Sequence, residues 1–209
     1  MVAVKRSYSA PRREEAARAT RLAVVAAAHS LFLEQGYGGT TIDQIAVRAS
    51  VSRPTVFSVG SKATLLKLAR DIAMAGDDEA VTVTARAGFQ RLLIEPDAVR
   101  TLDLFALHSA ALLGRYAALD EVLRQAAGVD DEAKALWETS EAERLRAARL
   151  VVGNLAGKAE LRLSRAAAAD VLWLLMAPDL YHRLVHGRRW SRQRYITWYA
   201  RTLRSQLLA

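Results

Sequence analysis

The sequence predicts an all-α protein, and three observations support this fold class. Only 4 prolines and 11 glycines occur among 209 residues, fewer than a loop-rich β protein would need. Apolar residues recur at helical spacing from Leu22 onward. No alternating strand pattern persists: Val81–Thr84 is β-like, but it is too short and isolated to form a sheet.

Composition narrows the class of protein. A hydrophobic share of 52% excludes a disordered chain. The absence of cysteine excludes disulfides, thiolate metal sites and cysteine nucleophiles, and it fits a reducing cytoplasm. The formal net charge of +8 suggests a polyanionic partner.

Two apolar stretches could be mistaken for export or membrane segments. Leu22–Leu33 is interrupted by His29 and Ser30 and follows a charged tract, unlike a signal-peptide core. Val171–Ala177 is far shorter than the roughly 20 residues that cross a bilayer. We therefore expect a cytoplasmic protein with no membrane partner.

The N-terminal elements follow from their start and stop signals. Residues 1–20 form a basic arm that leads into a helix. This helix is expected to end at Gly36, because glycine readily adopts the left-handed backbone conformation that ends many helices. Thr40 or Thr41 then caps a short helix.

A second short helix is predicted over about 53–58. Ser52 caps it, and Pro54 falls in its first turn, where a missing N–H costs least. Gly60 breaks it, and Ser61 caps a longer helix. Two short helices joined by a tight turn predict a helix-turn-helix, in which the second helix presents its N-terminal side chains to the major groove.

We place the domain boundary at the polar break that follows Met74. This gives an N-terminal arm over 1–20, a three-helix DNA-binding domain over 21–75, and a larger ligand-binding and dimerisation domain over 76–209. The larger domain is predicted to contain helices at about 86–94, 97–126, 130–157, 165–186 and 191–208, with Pro178 dividing the fourth.

A run of N-terminal positions falls in register with one known pattern. The sequence resembles the DNA-binding domain of the TetR family of bacterial transcriptional repressors over about residues 20–66. That resemblance implies a homodimer, a ligand cavity in the larger domain, and release from DNA when the cavity fills. The matching positions are Arg21, Ala27-Ala28, Leu31-Phe32, Gly36-Tyr37, Thr40-Thr41-Ile42, Ile45-Ala46, Ala49 to Ser52, Thr55 to Phe57, Ser61-Lys62 and Leu65.

One segment departs from the family pattern. Phe57 is followed by Ser58, Val59 and Gly60, so the family's usual histidine phosphate contact and second aromatic are missing. We expect operator contacts to depend more on the other polar residues of this region and on the arm. The candidate DNA-binding residues are Thr41, Arg48, Ser52, Arg53, Pro54, Thr55, Phe57, Ser58 and Lys62.

Arg53 is the leading candidate for reading a base, since bidentate contact to guanine is the commonest specific arginine contact. A phosphate contact or a solvated charge is the alternative. Thr55 could touch a thymine methyl or a phosphate, or simply lie on the helix surface. Thr41 and Lys62 are interpreted as backbone contacts, which carry affinity and no sequence information. Val51 and Val56 are expected in the core.

In the larger domain, aromatic and apolar residues on interior faces are candidates to line the ligand cavity. His108 is the best polar candidate, and a satisfied buried histidine is the alternative. No charged anchor for an effector is evident, which favours a hydrophobic or aromatic effector. The candidates are Phe89, Leu104, Phe105, His108, Leu112, Tyr116, Trp137 and Trp173.

Other chemistries lack a supporting pattern. His182 and His186 are spaced i, i+4, but they fall on the family's dimerisation helix, so no metal site and no cofactor are expected. No catalytic constellation is visible, so we expect no enzyme. Dimerisation is expected through about 165–208, where apolar stripes include Leu172, Leu175, Leu184, Ile196 and Leu203.

The charge distribution is consistent with a DNA-binding N-terminal domain and a separate ligand-binding domain. Residues 1–70 carry 11 Lys and Arg against 4 acids, whereas residues 71–179 carry 12 against 18. The last 30 residues carry 7 arginines and no acid, and these could pair with the acidic middle or with a partner subunit. The leading hypothesis is a ligand-responsive repressor that binds a palindromic operator. The alternative is a helical small-molecule-binding module without sequence-specific DNA binding.

Overall fold

The computed structural model describes residues 10–79 and 81–209, with side chains from residue 12. Most of the predicted basic arm therefore lies outside the described residues. Within those ranges the protein is helical and contains no β-strand, only an isolated bridge between Leu161 and Leu208. The all-α fold class is confirmed. The chain divides into two compact units within one helix, between Ala69 and Arg70.

The smaller unit, which ends at Ala69, contains α1 (Ala10–Gly39), α2 (Ile42–Ala49), α3 (Arg53–Val59) and the start of α4 (Lys62–Ala75). The helical backbone of α1 is interrupted at Gly36, where φ is +71°, as the predicted stop requires. Its buried side chains come from all four helices and include Phe32, Ile45, Val56 and Leu65. Val51, expected in this core, is only half-buried.

The larger unit, from Arg70 onward, begins with the end of α4 and a 3₁₀ turn at Val83–Ala85, where the sequence showed its one β-like stretch. The predicted helices are all present, with ends that differ by a few residues. Pro178 divides the fourth helix, which continues as a π-helical turn at His182–Gly187. The helices are α5 (Ala87–Ile94), α6 (Ala98–Ala126), α7 (Asp131–Leu155), α8 (Arg165–Leu175), α9 (Pro178–Tyr181) and α10 (Arg192–Leu207).

Packing in the larger unit is organised around α6, which contacts α5, α7, α9 and α10, while α7 also packs along α8. The core is aromatic as well as aliphatic: Phe105, Tyr195 and Tyr199 are fully buried. None of the helices in the described residues combines the length and apolar character that crossing a membrane requires.

One ion pair lies inside this core. Arg70 Nε donates to Asp120 Oδ1 at 2.7 Å, and the two side chains keep only 9% and 4% of their exposure. The Arg70 guanidinium also lies over the Tyr116 ring at 5.1 Å. Because a charge of either sign is costly in the interior, each partner requires the other there.

Removing one member of this pair is expected to be strongly destabilising. Asp120→Asn removes the carboxylate that accepts from the buried Arg70 and leaves the more exposed Asp71, 3.8 Å away, as its acidic neighbour. The free energy of unfolding should fall by about 3 kcal/mol, the lower end of the cost of breaking a buried ion pair. All four tryptophans lie in the larger unit, so urea unfolding followed by tryptophan fluorescence reports on it. The exposed Glu143→Gln is the control and should change stability by less than about 0.5 kcal/mol. Equal stability of the two variants would show that Arg70 does not depend on Asp120.

Candidate DNA-binding surface and effector site

Side-chain caps define the ends of the two short helices. Thr41 Oγ1 accepts from Gln44 N at 3.2 Å, and Gln44 Oε1 accepts from Thr41 N at 2.8 Å, which forms a capping box on α2. Ser52 Oγ accepts from Thr55 N at 3.3 Å at the start of α3. Between the helices, Ser50 adopts the left-handed conformation with φ of 55°. The predicted Thr41 and Ser52 caps are thus confirmed, and the helix-turn-helix is tightly specified by local hydrogen bonds.

Arg53 lies exposed in the first turn of α3. Its guanidinium is 5.6 Å from the centre of the Phe57 ring and its Nη1 is 3.4 Å from Asp43, an exposed residue on α2. Phe57 itself is 53% exposed. The aromatic face and the carboxylate together limit where the arginine can point. Asp43 was not a sequence candidate, because its partner lies ten residues away across a turn.

The remaining α3 candidates divide between exposed and structural roles. Pro54 and Ser58 are exposed, while Thr55 is half-buried. The Thr55 hydroxyl lies 2.8 Å from that of Ser52, and Ser58 Oγ donates to the Thr55 carbonyl at 2.7 Å. Thr55 therefore belongs to the cap as much as to the outer surface.

Two basic candidates already have structural partners. Lys62 Nζ donates to the carbonyls of Tyr37 and Thr40, at 3.1 and 3.3 Å, and lies 4.1 Å from the centre of the Tyr37 ring. Arg48 Nη1 is 2.6 Å from Glu34 Oε1, and this hydrogen bond lowers the pKa of Glu34. Neither partnership is visible in the sequence, because the partners are 14 to 25 residues away. Lys62 therefore secures the end of α1, in addition to any contact with DNA.

The effector candidates largely come together in the larger unit. Phe89, Phe105 and Tyr116 belong to its buried core, and Leu104, Leu112 and Trp173 pack against that core. Trp137 is half-buried on α7 and is not part of the cluster. An open cleft of about 390 Å³ lies elsewhere, beside Pro96–Val99, Lys158–Glu160 and the last two residues. None of the candidates lines that cleft.

His108, the polar candidate, stands edge-on to Phe89 with ring centres 6.0 Å apart. Burial, and secondarily the charge of Arg115, lowers the pKa of His108, which favours the neutral imidazole. Its Nε2 is buried and has no hydrogen-bond partner among the described residues. That atom is available to a bound molecule.

A charged pair that the sequence analysis did not single out lies beside one of these candidates. Arg144 forms an ion pair with Glu141 on α7, and its guanidinium lies 5.2 Å from the centre of the Trp173 ring. In the sequence these two charges have the i, i+3 spacing of a solvated helix face, so the sequence does not indicate that they lie beside Trp173. Aromatic contact with Trp173, on a different helix, reveals it.

The two histidines near the C-terminus stack on one another, with the His182 and His186 ring centres 5.1 Å apart. No group of three or more His, Cys, Asp or Glu side chains suited to a metal ion occurs in the described ranges. Some C-terminal arginines do pair with acids of the same chain, as Arg204 does with Asp103 at 3.2 Å and Arg183 with Asp179 at 3.3 Å.

A capped helix-turn-helix with an exposed arginine, followed by a helical unit, is the arrangement found in DNA-binding transcription regulators. Residues 24–68 match the family model described as bacterial regulatory proteins, tetR family. This segment therefore carries the DNA-binding domain of that family, as the sequence resemblance indicated. No curated protein sequence matches the chain.

Solved structures share the fold. One, from Clostridium perfringens and described as a candidate fatty acid metabolism regulator, is 16% identical with a TM-score of 0.62, covering 90% of this chain and 99% of its own. Another, from Pseudomonas aeruginosa PAO1 and described as a candidate transcriptional regulator, is 18% identical with a TM-score of 0.62, covering 88% of each chain.

The structural role of Lys62 is open to a direct test. Lys62→Met removes two charge-assisted hydrogen bonds to main-chain carbonyls, so the smaller unit should lose about 1–3 kcal/mol of local stability. Amide hydrogen exchange of residues 31–46 measures this loss in the full chain. Lys67→Met, an exposed lysine on the same helix, should leave exchange unchanged. Unaltered protection in Lys62→Met would contradict the role assigned to the ammonium group.

Proposed function

We propose that the protein is a repressor that binds a palindromic operator as a homodimer and is released by a small-molecule effector. The observation that carries the DNA-binding part is the exposed first turn of α3, where Arg53 is held between Phe57 and Asp43. Helix-turn-helix proteins read base edges with the N-terminal residues of this helix. Such a protein acts in the cytoplasm, where its operator lies, and has no enzymatic role.

The proposed contacts divide by chemistry. Arg53 reads a base, and Pro54, Phe57 and Ser58 form the exposed surface beside it. Main-chain N–H groups at the N-termini of α2 and α3 bind phosphates, next to Thr41 and Ser52. Arg48 and Lys62 add positive charge near the backbone while keeping their partners, Glu34 and the end of α1. Thr55 contributes mainly by capping α3.

Dimerisation is proposed through α8 and α10. Leu174 on α8 is 63% exposed, and Leu175, Leu184 and Ile196 are half-buried. Two other members of the predicted stripe, Leu172 and Leu203, are fully buried within their own chain and cannot form the contact surface. An exposed leucine beside half-buried apolar neighbours favours a self-complementary interface.

The effector is proposed to bind in the larger unit, among the candidates that meet there. Phe89, His108 and Trp173 combine apolar surface with free polar atoms, as ligand sites usually do. His108 Nε2 and Trp173 Nε1 are the polar atoms available to it.

Base reading by Arg53 is tested by selecting bound fragments from genomic DNA with the full-length protein. We expect an enriched palindrome whose binding weakens steeply with salt, since phosphate contacts release counterions. Arg53→Ala should lose about 1–3 kcal/mol of discrimination at one base pair of each half-site. Arg91→Ala, an exposed arginine on α5, is the matched control and should bind as the wild type does.

The outcomes separate the two hypotheses. No enriched palindrome at moderate salt would support the alternative, a small-molecule-binding module without specific DNA binding. An enriched palindrome with Arg53→Ala weakened equally on every sequence would make Arg53 a phosphate contact.

The dimer is tested by sedimentation at micromolar concentration. Leu174→Glu places a charge at the centre of the proposed interface without disturbing the core of its own chain, so it should produce monomers. Val129→Glu, in an 81% exposed position between α6 and α7, should sediment as the wild type. A wild-type monomer, or a Leu174→Glu dimer, would contradict this interface.

A further inference from the structure

Three side chains in the larger unit form a polar group that has no part in the proposed DNA contacts. Glu141 and Arg144 lie one turn apart on α7, and Trp173 faces them from α8. We refer to Glu141, Arg144 and Trp173 as the polar trio. Arg144 joins the other two, through an ion pair with Glu141 and through stacking on the indole ring at 5.2 Å.

Each member of the polar trio presents a buried polar atom with no hydrogen-bond partner among the described residues. These atoms are Glu141 Oε1, Arg144 Nε and Trp173 Nε1. The side chains of Glu141 and Arg144 retain 21% and 13% exposure, while those three atoms are buried. Two N–H donors and one carboxylate acceptor on side chains joined by Arg144 match a group that both accepts and donates, such as a hydroxyl or a primary amide.

Charge balance selects against an ionic ligand. Glu141 and Arg144 neutralise one another, and so do Arg70 and Asp120 in the same core. An anion or a cation bound at the polar trio would add an unbalanced charge to a poorly solvated region, which is energetically costly. Burial already raises the pKa of Glu141, which shows how poorly this region solvates a negative charge.

Aromatic groups near the polar trio suit a flat apolar body. Burial raises the pKa of Tyr116 and Tyr199, and the charge of Arg144 is close enough to oppose the rise in both. Tyr199 stacks on Tyr195 with ring centres 5.3 Å apart. The indole of Trp173 is the ring in direct contact with the polar trio.

We propose that the polar trio is the recognition site for an uncharged aromatic effector bearing a hydroxyl or amide group. The ligand oxygen accepts from Arg144 Nε–H and Trp173 Nε1–H, and its O–H or N–H donates to Glu141 Oε1. This inference deepens the effector part of the proposed function and rests on it. It replaces an unspecified hydrophobic effector with a defined donor and acceptor pattern.

Four matched probes on one ring system test this preference by calorimetry with the full-length protein. They are 2-naphthol, naphthalene, 2-naphthoate and 2-naphthylmethylammonium. We expect 2-naphthol to bind at least tenfold more tightly than each of the others. Equal affinity for naphthalene would overturn the polar recognition, and preference for either ion would overturn the argument from charge balance.

Two variants assign the binding to the polar trio. Trp173→Phe removes one N–H donor and keeps an aromatic ring, so it should weaken 2-naphthol at least fivefold and change naphthalene little. The double variant Glu141→Met with Arg144→Met keeps the charge balance and should abolish the preference for 2-naphthol. The control is Glu143→Met with Arg146→Met, an exposed pair with the same spacing on the same helix, which should bind as the wild type.

Circular dichroism of each variant identifies any that fail to fold. If the double variant fails to fold, Trp173→Phe alone tests the proposal. Unchanged 2-naphthol affinity in Trp173→Phe would overturn the proposal. Release of operator DNA is measured separately on the selected palindrome. A chain that binds the palindrome but shows no preference for 2-naphthol contradicts the polar trio alone, whereas a chain that binds 2-naphthol but no palindrome contradicts the regulatory function alone.

Discussion

The structure of the larger unit depends on keeping charge neutral in its interior. The buried guanidinium of Arg70 is bonded to Asp120, has Asp71 Oδ1 at 3.8 Å, and lies over the Tyr116 ring. Glu141 and Arg144 repeat the arrangement beside Trp173. A fully apolar core would hold these helices together at less cost, because buried ion pairs seldom stabilise more than well-packed hydrophobic residues. Polar atoms that keep unused hydrogen-bonding capacity in such a place are the basis of the proposed effector site.

In the smaller unit, part of the positive charge stabilises the protein itself. Lys62 binds the carbonyls at the end of α1, and Arg48 pairs with Glu34. The excess of 11 basic over 4 acidic residues in positions 1–70 therefore overstates the charge available to a polyanion. Arg53 differs from Lys62, since its partners Asp43 and Phe57 are themselves exposed and orient it without burying it. Reading a specific base requires an arginine such as Arg53, which its neighbours orient but which can still form hydrogen bonds to DNA.

Much of the fold could be predicted from the sequence because its signals are local. Thr41, Ser52 and Pro54 mark helix starts by short-range hydrogen bonds and fixed backbone angles, and each lies where predicted. Gly36 likewise marks an interruption that requires positive φ. The exceptions involve contacts between distant residues. The partners of Lys62 and of Arg70 lie 22 to 50 positions away, and no periodicity in either helix points to them.

The proposed effector site shows the same limit most sharply on α7. Glu141 with Arg144 and Glu143 with Arg146 have identical composition and spacing, and a sequence pattern treats them alike. They differ because a helix turns by about 100° per residue, so a shift of two positions moves the pair to the opposite side. The side chains of Glu143 and Arg146 are 61% and 65% exposed, whereas Arg144 of the other pair contacts the indole of Trp173. The same two residue types form a weak surface pair in one place and a hydrogen-bonding site in the other, so burial, rather than residue type, determines what these charges can do.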